Sequence, residues 1–195
     1  MKPPIETLHL FPLLNKELIS FLKQLSSEDW QKQTIAKKWV VKDVAAHLLD
    51  GNYRRIALHR DGWYVPPDIP IRSYNDLVNY LNTLNAEWVK AAKRLSPGII
   101  IELLELTNEV VYREFSKLDP FAMAAYSVSW AGESESFNWF DIAREYTERW
   151  LHQQQIRDAV NDTGLMTTEL YQPFLTVFIR AWPHTLKEVK AEEGT

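Results

Sequence analysis

Residues 139–161 read WFDIAREYTERWLHQQQIRDAVN, with NDTG at 161–164 as a stop signal and Gly164 just beyond. The spacing predicts a long helix. At about 3.6 residues per turn, Asp141, Glu145, Glu148, His152, Gln155 and Ala159 fall on one stripe. Trp139, Ile142, Ala143, Tyr146, Trp150 and Val160 lie largely on the other side. The simplest reading turns the polar stripe to water, with Glu148 and His152 as a surface pair worth about 0.2–0.5 kcal/mol. The other reading makes them two ligands of a metal, and spacing alone leaves both open.

Working outward, residues 5–25 place Leu10, Leu13, Leu14, Leu18, Phe21, Leu22 and Leu25 at helical spacing, so a first helix is expected there. Ser26 or Ser27 can cap a short turn before the connector to Trp39. A second helix is expected from Val41 to about Arg60, despite Gly51, and WYVPPDIPIRS must end it, since its clustered prolines cannot continue a helix. Ser73 caps a third helix, Tyr74 to Leu95, stopped by SPG. A shorter helix follows from Ile99 to Phe115, then a loop or extended stretch through LDPFAMAAYSVSWAGESES. Ser136 or Asn138 is the expected cap of the 139–161 helix, and a last helix spans Glu169 to Glu192 with a break near Pro183. Long helices without a strand pattern predict an all-α bundle: a four-helix bundle with an additional C-terminal helix, one domain over 1–195.

Charged residues at 25% and apolar ones at 46% are the balance of a soluble globular protein. A net charge of −4 without any basic run argues against nucleic acid as a partner. No apolar run approaches the roughly 18–20 residues that cross a bilayer, so no membrane partner is expected. The N-terminus lacks a signal-peptide pattern, and a cytoplasmic protein is expected. Eight Trp, eight Tyr and eight Phe imply a large aromatic component in the core or around a pocket. Without cysteine there is no disulfide, no thiolate zinc site and no protein thiol nucleophile, so any metal must use His and carboxylate.

The second helix offers His47, which shares its stripe with Val40, Asp43, Val44, Gly51, Arg54 and Leu58. That mixture is too apolar for a fully solvated face. A lone His there is ordinarily a buried, hydrogen-bonded side chain. Facing Glu148 and His152, however, it would complete a three-ligand site with open coordination positions, which a catalytic metal needs.

The run KKWVVKDVAAHLLDGNYRR, together with REYTERWLHQQQIRDA, resembles the DinB-like superfamily, and within it the N-terminal domain of mycothiol-dependent maleylpyruvate isomerases. The resemblance covers the chain from the first helix to about residue 161. It implies a four-helix bundle with a divalent metal, usually zinc, held by a His of the second helix and by an acid and a His of a later one. Carried onto this chain, those ligands are His47, Glu148 and His152. Nickel, iron and manganese are also compatible by ligand type. The resemblance further implies a low-molecular-weight thiol cosubstrate, whose proton a metal would remove near neutral pH. Thiol addition to a cis double bond, rotation and expulsion would then give the trans isomer.

Arg54 is a candidate for binding a substrate carboxylate, with a salt bridge to an acid such as Asp50 as the alternative. Trp130 and His184 are candidates for lining the pocket, with core packing the alternative for Trp130. Asp43 and Glu145 are candidates for orienting an imidazole. His9 and His59 read as surface residues. The functional expectation is a thiol-dependent isomerase or transferase acting on small molecules. The alternatives are a metal-dependent hydrolase, with Glu145 or Asp43 as base, and a non-enzymatic metal-binding or stress-associated bundle. A homodimer through helix faces is also expected.

Overall fold

The computed structural model describes residues 2–190. Its helices are α1 (Phe11–Leu22), α2 (Val41–His59), α3 (Tyr74–Ala92), α4 (Pro97–Phe115), α5 (Asn138–Ala159), α6 (Thr168–Ile179) and α7 (Trp182–Thr185). Short 3-10 turns sit at Leu8–Leu10, Asp29–Gln31 and Ser129–Ala131. No strand forms among the described residues, only the isolated bridges Gln33–Val40 and Met123–Phe137. The fold is the all-α bundle that the helical spacing predicts.

Local chemistry sets most of the boundaries. Ser73 accepts from the Asp76 N–H at 3.1 Å and Ser96 from the Ile99 N–H at 3.3 Å, each satisfying an orphan donor at a helix start. At α2 no hydroxyl stands at the cap, so Asp43 reaches back to accept from the Val40 N–H at 3.2 Å. Its far end closes at Gly62, whose φ of +65° lets the Trp63 N–H return to the Ala57 carbonyl at 2.8 Å. Ser26 forms the expected short turn, accepting from the Asp29 N–H at 3.2 Å.

Three expectations need correction. The first helix begins at Phe11 rather than residue 5, because the chain before it makes a 3-10 turn that leads into Pro12. Neither Ser136 nor Asn138 caps α5; Phe137 occupies that position. Ser136 instead accepts from the Val128 N–H at 2.9 Å, and Asn138 donates to the Asp119 carbonyl at 2.9 Å, tying the 118–137 loop to the helix start. The last helix splits into α6 and α7 about Arg180 and Ala181, with Pro183 in the first turn of α7, and its expected end at Glu192 lies outside the described residues.

The core forms around α5. Leu18 and Leu22 of α1, Val44 and Leu48 of α2, and Ile100 and Leu104 of α4 pack on one side of the bundle. Phe11, Leu14, Val111, Phe115, Tyr146 and Leu170 pack α1, α4, α5 and α6 on another. Trp150 stacks on Tyr171 and Phe174, which docks α6 onto α5. Helix α5 is therefore surrounded: most of its 22 residues are buried, among them Asp141, Glu145, Arg149 and Arg157. Of the stripe expected to face water, Asp141 and Glu145 are buried, and Glu148, His152, Gln155 and Ala159 are half-buried. Helix α3 is the opposite case, burying only Val89 and Ala92 and leaving its first half as a wall beside the bundle.

A Cβ at Gly51 would meet nothing closer than Glu145 Oε1 at 3.8 Å, so interhelical sterics do not demand glycine there. Gly51→Ala is expected to raise stability by about 0.5–1 kcal/mol through helix propensity, read by urea unfolding. Because Gly51 lines the cavity described below, the added methyl also narrows it.

Candidate metal and thiol site

His47 projects from α2, and Glu148 and His152 from successive turns of α5. Each offers a donor atom, and these atoms lie within 4.8 Å of one another. The rings of His47 and His152 meet edge to face at 4.7 Å, and Trp39 packs over His47 at 4.9 Å. His152 Nδ1 lies 3.0 Å from Gln155 Oε1. An amide oxygen only accepts, so Nδ1 carries a proton toward Gln155, and Nε2 is left to face Glu148 either as the bare nitrogen of a neutral imidazole or as the N–H of an imidazolium. Nε2 faces Glu148 Oε2 at 3.4 Å. A lone pair and a carboxylate cannot face each other without something positive between them, either a proton or a metal ion. A charge-assisted N–H···O bond closes to about 2.7–2.9 Å. Two ligands about 2.05 Å from one tetrahedral zinc stand about 3.3 Å apart; the His152–Glu148 pair at 3.4 Å is near that spacing, and the full set, within 4.8 Å, would draw closer around an ion.

The electrostatics suit a cation. Burial, aided by the positive charges of His152 and Arg54, holds His47 down at about 3, so its imidazole is neutral. Its Nδ1 is buried with no hydrogen-bond partner. Burial disfavours charge on His152 and on Glu148, but their mutual attraction outweighs it, raising His152 and lowering Glu148. The donor set therefore fits a divalent metal: two imidazoles, one carboxylate and an opening for further ligands.

That opening is a cavity of about 450 Å³ between α2, α3, α5 and the loops around residues 64–67 and 126–129. Its floor is a buried polar network. Arg55 donates to both Asp141 oxygens at 2.7 and 2.8 Å and to Glu145 at 3.1 Å. Arg144 also bonds Asp141, and Arg149 donates to Asn108 at 3.0 Å and to Asn52. Asn52 in turn donates to Thr107 and Asn108, both at 2.8 Å. Tyr126 lies under the Arg55 guanidinium at 5.2 Å.

A family model for the mycothiol maleylpyruvate isomerase N-terminal domain matches residues 11–157, the span holding α1 to α4, the network and all three donors. The chain belongs to this family. No curated protein and no solved structure matches it. The maleylpyruvate isomerase-type, DinB-like bundle thus accounts for the chain up to the last turn of α5, and α6 and α7 lie beyond the matched span.

Within this family member, the remaining expected residues divide. Arg54 lines the cavity while its Nε contacts Asp50 at 3.1 Å, the salt bridge expected as the alternative. Trp130 stacks on Phe178 at 5.3 Å and packs on Phe140, away from the cavity; the bulky ring finds an apolar seat under α6. His184 lies directly against Gly132 in the 129–132 turn, so the bend at Pro183 carries it to that turn and not to the triad. Asp43 is committed to the start of α2, and Glu145 to Arg55, with Arg149 at 3.7 Å, so neither bonds an imidazole. His59, expected at the surface, is half-buried against Phe115, while His9 is exposed. Gln155 orients His152 in their place. Its position on the ligand stripe was the available signal.

Among the described residues no helix is long and apolar enough to cross a membrane.

Proposed function

We propose that His47, Glu148 and His152 hold a divalent metal, and that the protein uses it to present a low-molecular-weight thiol to a small-molecule substrate, as an isomerase or transferase. The observation that carries this reading is the 3.4 Å approach of His152 Nε2 to Glu148 Oε2 while Nδ1 is committed to Gln155. Zinc suits this borderline donor set, and nickel, iron or manganese would also be accepted by ligand type. When bound, the metal supplies the Lewis acidity that draws the proton from a coordinated thiol near neutral pH. Gln155 holds the tautomer of His152, and Trp39 fixes the His47 ring. The Arg55–Asp141–Glu145 cluster fixes the spacing of α2 and α5, on which the site depends. A cavity of about 450 Å³ has room for a small substrate beside the sulfur. The chain has no cysteine, so the thiol would come from outside.

A hydrolase on the same bundle would need a base, and both candidates are poorly placed for it. Arg55 and Arg149 outweigh burial and hold Glu145 at about 2, and Asp43 caps α2.

Metal analysis of protein purified without a histidine tag tests the proposal. About one divalent ion per chain is expected, with His47→Ala retaining less than roughly a tenth of it. A metal-free wild type, or unchanged content in His47→Ala, would sink the reading. If the metal were structural and the protein non-enzymatic, chelation would remove much of the folding stability; small loss is expected instead, because the bundle packs on three apolar clusters that do not include the donors. We also propose a homodimer, supported by exposed Ile179, Trp182, Leu186 and Val189, and light scattering reads it directly.

A further inference from the structure

The cavity beside the triad has two unlike sides. Its floor, on α2 and α5, carries all of its arginines, and each of them already has a partner. Arg55 and Arg144 are bonded to Asp141, Arg149 to Asn52 and Asn108, and Arg54 to Asp50. The opposite wall, from α3 and the loop after α2, presents Tyr64, Val65, Leu77, Tyr80, Leu81 and Leu84. These are not core residues that happen to border a void. Tyr64 is 54% exposed, Val65 66%, Leu81 36% and Leu84 37%, and α3 buries only Val89 and Ala92 in the bundle. No lysine lines the cavity.

We propose that the substrate has an apolar, aromatic-sized body that lies along α3 and no more than one negative charge. This rests on the proposed function only for where the reacting sulfur sits. A dicarboxylate would have to draw Arg55 or Arg144 off Asp141 and leave that buried carboxylate with one guanidinium in place of two, which opposes its binding. Arg54 alone is free enough to take a carboxylate, being nearly half exposed with a single 3.1 Å contact to Asp50. The apolar wall gains by being covered, since water on it is released when an apolar body lies there.

Two measurements on the full chain test this. In the first, cobalt-loaded protein is titrated with 2-phenylethanethiol and with mercaptosuccinate, following the sulfur-to-cobalt absorption band. Both probes bring one thiol and differ in body. The aryl thiol is expected to bind at least about tenfold tighter. Leu81→Asp and Leu84→Asp, at exposed positions that spare folding, are expected to erase that preference. Equal or tighter binding of mercaptosuccinate, or an undiminished preference in both variants, overturns the proposal. In the second, metal-free protein is examined by saturation-transfer NMR with 3-phenylpropanol and succinate. Signal from 3-phenylpropanol that is lost in Leu81→Asp supports the apolar cavity even if cobalt fails to bind, an outcome that would count against the metal site alone. Signal from succinate and none from 3-phenylpropanol overturns it.

Discussion

Arg55→Ala is expected to destabilise the protein by about 3–5 kcal/mol at pH 7, read from urea unfolding. The Arg55 side chain is 5% exposed, and it is the cation that bridges Asp141 and Glu145. Removing it leaves two buried carboxylates with reduced compensation, Asp141 keeping Arg144 and Glu145 keeping Arg149 at 3.7 Å. The loss therefore exceeds what any surface pair contributes; breaking Lys23–Glu105, for example, is expected to cost no more than about 1 kcal/mol. The pH dependence has a definite sign. In the folded protein, charge from Arg55 outweighs burial and holds Asp141 and Glu145 at about 2, below the ordinary values of 3.8 and 4.5. Depressed carboxylates contribute stability that is present above their unfolded values and lost as pH falls toward the folded ones. Wild type should therefore lose stability between about pH 4.5 and about 2, and its advantage over Arg55→Ala should shrink across that window. Arg55→Ala combined with Glu145→Gln is expected to recover part of the loss, because one of the stranded charges is gone. An Arg55→Ala protein within about 1 kcal/mol of wild type at pH 7 would show that water or neighbouring arginines already satisfy the cluster.

This cluster also marks what the sequence could and could not reveal. Helices α2, α3 and α4 follow their expected limits to within a few residues, because Ser73, Ser96, Gly62 and the prolines are local signals. Spacing also put Asp141, Glu145, Glu148 and His152 on one stripe. It could not tell which way the stripe faced, since periodicity fixes relative and not absolute orientation. Turned inward, the stripe needs a cation from elsewhere, and that cation is Arg55, some 90 positions away. By spacing the candidate is its neighbour Arg54, which shares the stripe of His47. The one-residue difference turns the side chain from the buried network toward solvent: Arg55 is 5% exposed and Arg54 47%. The motif singles out His47 as a candidate, but the contact of Gln155 with His152 needed a distance.

Glu148→Gln is expected to weaken zinc binding by at least about a hundredfold while leaving the fold intact. The substitution keeps the size of the side chain and removes the only anionic donor of the set. Altering a group that merely orients a ligand typically costs 10–100-fold in affinity, so loss of the ligand charge itself should cost at least the upper part of that range. The fold should survive because the Glu148 side chain is 44% exposed and has no part in the arginine network. That separates it from Arg55→Ala, where stability falls first. Competition with a chromophoric chelator measures the affinity, and urea unfolding in the presence of chelator measures the fold. Gln155→Ala provides the intermediate case: His152 Nδ1 loses its acceptor, the tautomer is no longer held, and affinity should fall by about 10–100-fold. Wild-type affinity in Glu148→Gln would mean that the 3.4 Å pair is an imidazolium–carboxylate contact closed by a proton, and the metal assignment would fall with it.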